Sequence, residues 1–375
     1  MRSASISLPE TWPIPGSHQR FIEFEIRALT PIFKGGSTTT QIDEGRPFRA
    51  PSIRGALRYW WRATSTLADV EQLRAHEKAL FGGVHGGPVA SAVSVAILSQ
   101  QSTAGPRPGN KPYAFGVTGK EPEDEARNRQ VHMNATGTLR VEWRDDSDGE
   151  EVKRALKAWL LFGGIGGRSR RGAGSIWWDG GVDRPSTVDD YVAAWRRLVP
   201  ERATRPWPTL ARSVLLIGPA RASADAAWDE GLNGMRDVRA STGVRTEFIR
   251  ARGPDLFEWK RQDYIPISGR QRFSSPRAAL GLPIRFNSRG NGFRGSMEQA
   301  GYNRYPSPLH LKVVHLAGSY YPIFLAVRGC APRELRATRK ENGRVIQDVA
   351  GTLDVAGLDR FIELAAQLRG WRRHE

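Results

Sequence analysis

The sequence predicts an α+β fold in two consecutive halves, on three observations. A chain of 375 residues has room for two domains at roughly 150 residues each. In the first half, strand-period and helix-period stretches follow in the order strand, helix, strand, strand, helix, strand, which is the split βαβ order of ferredoxin-like folds. In the second half strand and helix signals mix again, as a duplicated unit would require. The expected architecture is two tandem ferredoxin-like, RRM-like domains: residues 1–180, a linker over 181–211, and a degenerate copy over 212–375.

Each element carries its own signal. Ile22, Phe24, Ile26 and Ala28 alternate with Glu23, Glu25 and Arg27, the period of a half-buried strand. PSIRGALRYWWRAT predicts a helix from about Ile53 with Ser52 as N-cap, and a second helical stretch runs from Asp69 to Leu80. Val93, Val95 and Ile97 predict a strand within 89–98, after which 100–130 turns to Pro, Gly, Gln and charge, the composition of a loop or mobile hairpin. GTLRVEWR reads as a strand. DGEEVKRALKAWLLF reads as a helix, with Asp148 and Glu151 at capping-box spacing and Val152, Leu156, Trp159 and Phe162 as its apolar stripe. The glycine-rich GGIGGRSRRGAG then leads into the strand SIWW. Between Asp179 and Arg212, four prolines and many charges surround one helix, STVDDYVAAWRRLV. Beyond it RSVLLIG, SPLHLKVVHLAG and YYPIFLAVRG read as strands, and ADAAWDEGLNGMRDV and 358–368 as helices.

Charge points to the partner. A net +17, from 56 basic and 39 acidic residues, favours a polyanion, with nucleic acid ahead of an anionic membrane surface. Arg outnumbers Lys 47 to nine, and guanidinium forks hold phosphate oxygens bidentately. Cys330 is the only cysteine, which excludes an intrachain disulfide and a cysteine-based metal cluster and fits a reducing cytoplasm. No apolar run is long enough to span a bilayer and no signal-peptide pattern opens the chain. Neither a metal, a cofactor, a small-molecule substrate nor a membrane is expected.

Two stretches stand out chemically. On the helix SIRGALRYWWRA, Arg54, Arg58 and Arg62 fall within an arc of roughly 80°, opposite Ala56, Leu57, Trp60 and Ala63. No acid occurs from Gly45 to Ala68, so these arginines, with Arg46 and Arg49, lack a local partner. The helix macrodipole disfavours a cation in the first turn, and a bound phosphate near Arg54 would relieve that conflict. The competing explanation is a solvated basic face, or arginines paired to acids distant in sequence. In FGGIGGRSRRGAGS, glycines at 163, 164, 166, 167, 172 and 174 let backbone N–H groups turn toward an anion while Arg168, Arg170 and Arg171 supply charge. Its competing explanation is a flexible surface turn.

Familiar glycine motifs do not fit this loop. Gly167 to Gly172 has Walker A spacing, but Ala173 and Gly174 stand where Lys and Ser/Thr are needed. A dinucleotide fingerprint from Gly164 fails at Ser169 and follows a helix. RGAGSIWW echoes an RNA-stacking motif, but Ala173 and Ser175 replace its rings.

TPIFKGG followed by PSIRGALRYWWR, then LFG and GGIGGRSRRGAGS, resembles the RAMP superfamily, and the first two segments together resemble its Cmr-type first subunit. SPLHLKVVHLAGSYYPIFL resembles the C-terminal half of that subunit family. The resemblance implies tandem ferredoxin-like (RAMP) folds, a non-catalytic place in a type III-B CRISPR effector near the 3′ region of the guide RNA (crRNA), and single-stranded target RNA and other RAMP subunits as partners. The contacts it implies are the helix arginines Arg54, Arg58 and Arg62 and the loop residues Gly163, Gly164, Gly166, Gly167, Arg168, Arg170 and Arg171, and Lys34 and Arg46 complete the expected RNA-binding set.

The alternative from another class is a metal-independent RAMP endoribonuclease that processes guide precursor. Of seven histidines, His132 beside a basic segment is the best general acid–base candidate, whereas His310 and His315 fall on a predicted strand. No second acid or base stands at recognisable spacing. Paired carboxylates for a two-metal site are missing as well.

Overall fold

The computed structural model describes residues 20–375 apart from 37–40, 85, 110, 112–113, 115–128, 145, 202–204, 240–262, 287–294, 302–303, 330 and 342–343. The first unit comprises β1 (Arg20–Ala28), α1 (Ala50–Thr64), α2 (Val70–Phe81), β2 (Val93–Pro106), β3 (Gln130–Trp143), α3 (Asp146–Phe162) and β4 (Ile176–Asp179). Its strands form one antiparallel sheet in the order β2-β3-β1-β4. Phe24 and Ile26 of β1 face the helices, where Ile53, Leu57 and Trp60 of α1 meet Leu156 and Trp159 of α3 in one core. Trp61 Nε1 donates to Glu151 Oε2 at 2.7 Å, which ties the two helices side by side.

Several boundaries differ from the sequence expectation. Helix α1 begins at Ala50 because Pro51 sits at one of its first two positions, where a missing N–H costs nothing. Ser52 therefore lies inside the helix, and the N-cap is Arg49, with no side-chain cap bond. Asp148 likewise lies within α3, which starts at Asp146, so it is not the cap. Helix α2 is separate from α1 and is capped by Asp69, whose Oδ2 accepts from Gln72 N at 2.9 Å. The stretch expected as an irregular insertion instead prolongs both flanking strands, paired out to Pro106 and Gln130. Cross-strand pairing outweighs the poor local propensity there, and 115–128 lie outside the described residues.

Residues expected as a linker carry α4 (Val188–Leu198), which opens with a full capping box between Thr187 and Asp190. Its Tyr191, Val192 and Trp195 are buried in the first core, and Tyr191 Oη donates to Leu161 O at 2.6 Å.

The second unit repeats the order of the first. It runs β5 (Thr209–Ile217), α5 (Ala224–Arg239), β9 (Leu309–Leu316), β10 (Ser319–Arg328), α6 (Gly357–Arg369) and β13 (Arg372–His374), with sheet order β13-β5-β10-β9. Substituting β13, β5, β10 and β9 for β4, β1, β3 and β2 reproduces the first sheet, so both units are ferredoxin-like. Two excursions unseen in the sequence interrupt this order. One carries β6 (Phe273–Ser275), β7 (Ile284–Phe286) and β8 (Gly295–Gln299), and the other β11 (Glu334–Glu341) and β12 (Arg344–Leu353). Together they build a five-stranded sheet in the order β6-β12-β11-β8-β7.

The two units share their interior. Leu215, Ile217, Ile323, Leu325 and Val327 join the first core, whereas Val214, Leu216, Phe324 and Ala326, one residue out of step, join a second core with Trp228 and Phe361. A strand with both faces covered reads as a continuous apolar run, which is why LLI and IFLAV show no alternation.

A candidate nucleic-acid interface

The glycine-rich loop is wedged between the units. Residues 31–33 run between β3 and the loop, with Ile32 bridging His132 and Phe33 bridging Gly167. Gly166 has φ +82°, and a Cβ there would lie 2.7 Å from Phe33 O, so only glycine fits. The loop's far limb touches the second unit: Trp228 Nε1 donates to Arg171 O at 2.7 Å, and Leu311 N to Arg170 O at 3.1 Å.

The expectation that these glycines turn their N–H groups toward an anion is corrected for most of them. Gly163, Ile165, Gly167, Arg171, Gly172 and Gly174 N–H groups donate to carbonyls of the protein. A loop packed between two sheets has to satisfy its own backbone.

One side of the loop faces a cleft of about 540 Å³. Its walls are the first turns of α1 (Ser52, Ile53, Ala56), the segment 33–35, Pro47, Arg49, Trp159 of α3, and Gly164 to Gly167 with Ser169. Among the described residues Lys34 and Arg49 are the cations that line it, and no acid does. Lys34 Nζ donates to Arg46 O at 2.6 Å, and burial, reinforced by Arg49 and opposed by Asp43, holds its pKa below the usual lysine value. Arg49 pairs with Asp43 and reaches Gly35 O at 3.2 Å. The first turn of α1 holds no acid and no side-chain cap.

The three helix arginines part company. Arg54 is exposed, with no side-chain partner among the described residues. Arg58 and Arg62 lie 3.2 and 3.6 Å from the Glu77 carboxylate of α2, and Arg58 also donates to Gly82 O. The expectation of unpaired guanidiniums is thus corrected for two of the three, because α2 folds back and brings in an acid from beyond the acid-free stretch. Arg46 is exposed. Arg170 donates to Ser307 O at 2.9 Å and lies over the Tyr59 ring at 5.3 Å, so it braces the two units. Arg168, at φ +63°, has its pKa lowered by partial desolvation and then by the charges of Arg129 and Arg304. Those three arginines come from the base of the β2–β3 hairpin, the loop and the approach to β9. None of the three has a carboxylate partner among the described residues.

His132 is buried, with Nδ1 2.9 Å from Ser102 Oγ and Nε2 without a partner among the described residues. Burial, then the Lys34 charge, lowers its pKa to about 4. His310 is buried against Tyr59 and Trp60, its Nε2 3.1 Å from Tyr59 Oη. His315 stacks on Tyr320 and pairs with Arg27. Among the described residues no group of three or more His, Cys, Asp and Glu is placed to hold a metal ion, and no helix is long and apolar enough to cross a membrane. Sequence reasoning missed Arg129, Arg304 and the buried Lys312. Only the last left a signal, a lysine inside the apolar run LHLKVVHL.

A tandem ferredoxin-like protein with a glycine-rich loop at the junction of its units is the class that fold and site define. Residues 25–177 match the family model described as "RAMPs: RAMP superfamily", and the chain has the fold of the solved chains to which it is similar. It superposes on Cmr1 from Pyrococcus furiosus (apo form) with a TM-score of 0.57 at 19% identity, covering 94% of this chain and 98% of that one. Two structures of the type III-B Cmr-beta complex bound to cognate target RNA each contain a similar chain. The first has a TM-score of 0.51 at 11% identity over 92% of this chain and 99% of that one. The second, with AMPPnP and in the presence of ssDNA, has 0.53 at 11% over 93% and 99%. No curated protein matches the sequence significantly.

Proposed function

We propose that this chain is a non-catalytic RNA-binding subunit of a type III-B CRISPR effector, that it grips guide RNA towards its 3′ region and single-stranded target RNA, and that it works beside other RAMP subunits in the cytoplasm. The observation that carries this reading is the convergence of cations around the glycine-rich loop, of which only Arg49 has a carboxylate partner among the described residues. Lys34 and Arg49 line the cleft, Arg129 and Arg304 lie within electrostatic range of Arg168 on the loop, and Arg54 stands exposed on α1. Cations without carboxylate partners repel one another and are relieved by phosphates. The similarity to a chain of a complex bound to cognate target RNA supports the same reading.

The test is single-stranded RNA affinity at several salt concentrations. Arg54→Ala and Lys34→Ala are each expected to weaken binding and to flatten the salt dependence by roughly 0.7 for every phosphate the variant no longer holds. An unchanged slope in the double variant would overturn the track. For the endoribonuclease alternative, His132 is enclosed and its proton-accepting range lies near pH 4, which places it poorly for general base work on a 2′-hydroxyl at neutral pH. EDTA-resistant cleavage of guide precursor that disappears in His132→Ala would reinstate that alternative.

A further inference from the structure

We propose that the outer edge of β2, over Val93–Ile97, takes an extended, uncharged strand of a neighbouring protein subunit, which joins the four-stranded first sheet as a fifth strand. This rests on the assembly reading above and adds to it a surface and the chemistry of what covers it.

Strand β2 stands at the end of the order β2-β3-β1-β4 and pairs with β3 alone. Beyond that ladder no backbone N–H or carbonyl from Ser94 to Gly105 has a hydrogen-bond partner among the described residues. A row of unpaired backbone groups is a template for another strand, and proteins guard such rows with charge, proline or shortness. The other sheet ends are guarded. β6, β7 and β13 are three residues each, β13 carries Arg372 and Arg373, β4 has four residues, and β9 is buried except at His315. β2 is long and bare by comparison. From Gly82 to Pro106 there is no Asp, Glu, Lys or Arg, in a chain of which 25% is charged, and no proline interrupts Val89 to Gly105. Val84, Val89 and Leu98 are exposed, and Val95, Ala96 and Ile97 are half-buried.

The same features select the occupant. RNA phosphates need cations, and this stretch has none. A charged segment would lose solvation against Val95, Ile97 and Leu98 without gaining an ion pair, so the incoming strand is neutral and apolar. Area argues against a second copy of this chain. Register shifts at Ile97/Ser99 and Gln101/Thr103 interrupt the ladder and leave Val93–Ile97 as its regular opening run. That run is too short to bury the roughly 1,200–2,000 Å² of a stable interface by itself. A subunit already held in the assembly through other contacts needs no such area, because the strand then pairs at high effective concentration. Main-chain bonds supply the affinity, and alternate side chains fix the register.

Amide hydrogen exchange is measured on the full chain alone, with guide RNA, and in the complex assembled with purified neighbouring RAMP subunits. Peptides covering 93–98 are expected to slow by about tenfold or more in the complex only. Ala96→Lys and Leu98→Lys set guarding charges on the edge, and each is expected to weaken subunit association about tenfold with the melting temperature of the free chain kept. The exchange measurement needs no variant, so the test survives should either substitution disturb folding. If the complex forms and binds RNA while these amides exchange as fast as in the free chain, the edge proposal is overturned and the function reading stands. Undiminished association of both folded variants overturns it equally. Protection by RNA alone would assign the edge to nucleic acid, and concentration-dependent protection of the chain alone would assign it to a second copy; either result overturns the proposal. If the chain binds neither RNA nor any subunit, the function reading itself fails, and the partner proposed here falls with it.

Discussion

The ammonium of Lys312 on β9 donates to Leu160 O at 2.6 Å and to Gly163 O at 2.8 Å, so a strand of the second unit closes the C-terminal turn of α3 where the glycine-rich loop leaves it. A cation suits that end of the helix dipole. Burial without an acid nonetheless drives the amine well below its ordinary pKa.

Lys312→Met is therefore expected to leave two buried carbonyls without donors and to destabilise the protein by about 2 kcal/mol or more, read by urea unfolding. Removing a buried charge pulls the other way. An unchanged or raised midpoint would show that desolvation of the amine outweighs its two bonds.

Glu77→Gln frees Arg58 and Arg62, which both now share that carboxylate. RNA affinity is expected to rise and the salt slope to steepen by up to two phosphates' worth, roughly 0.7 each. Equal slopes would mean that the two guanidiniums point away from the bound strand.

Arg304→Glu places an acid within electrostatic range of Arg168. The pair it creates should raise the melting temperature slightly, since like charges are relieved, and lower RNA affinity by several-fold because a cation of the track becomes an anion. Thermal melts and titrations on one preparation check both signs.

Neutral His132 contributes a pH dependence. Its folded-state pKa of about 4 lies below the ordinary histidine value of 6.5, so its stabilisation is complete above pH 6.5 and is lost progressively as pH falls from there through 4. The melting temperature of the wild type should drop over that window, and that of His132→Asn should drop less; identical profiles would remove His132 as a cause.

Gly172, at φ +81°, would bring a Cβ within 2.7 Å of Trp228 Cδ1. Gly172→Ala is expected to cost roughly 1–3 kcal/mol and to lower RNA affinity with the salt slope kept, because it separates the units without removing charge. Urea unfolding and salt-series titrations of that variant check the two effects.

The sequence by itself determined the α+β class, the first ferredoxin-like unit, the basic character and the glycine-rich loop. Each of these is local: alternation across β1, the apolar stripe of α3 and the run of glycines are visible within a dozen residues, because period and turn chemistry act at that range. Only the tertiary structure decided which arginines are free. Glu77, outside the acid-free stretch, takes Arg58 and Arg62, and Arg129 and Arg304 come within electrostatic range of Arg168 from segments far apart in the chain. The five-stranded sheet escaped notice for the same reason, since short strands such as β6 and β7 owe their form to partners across the sheet. Local propensity sets what a segment can become; electrostatics and pairing act through space, and space is arranged by the fold.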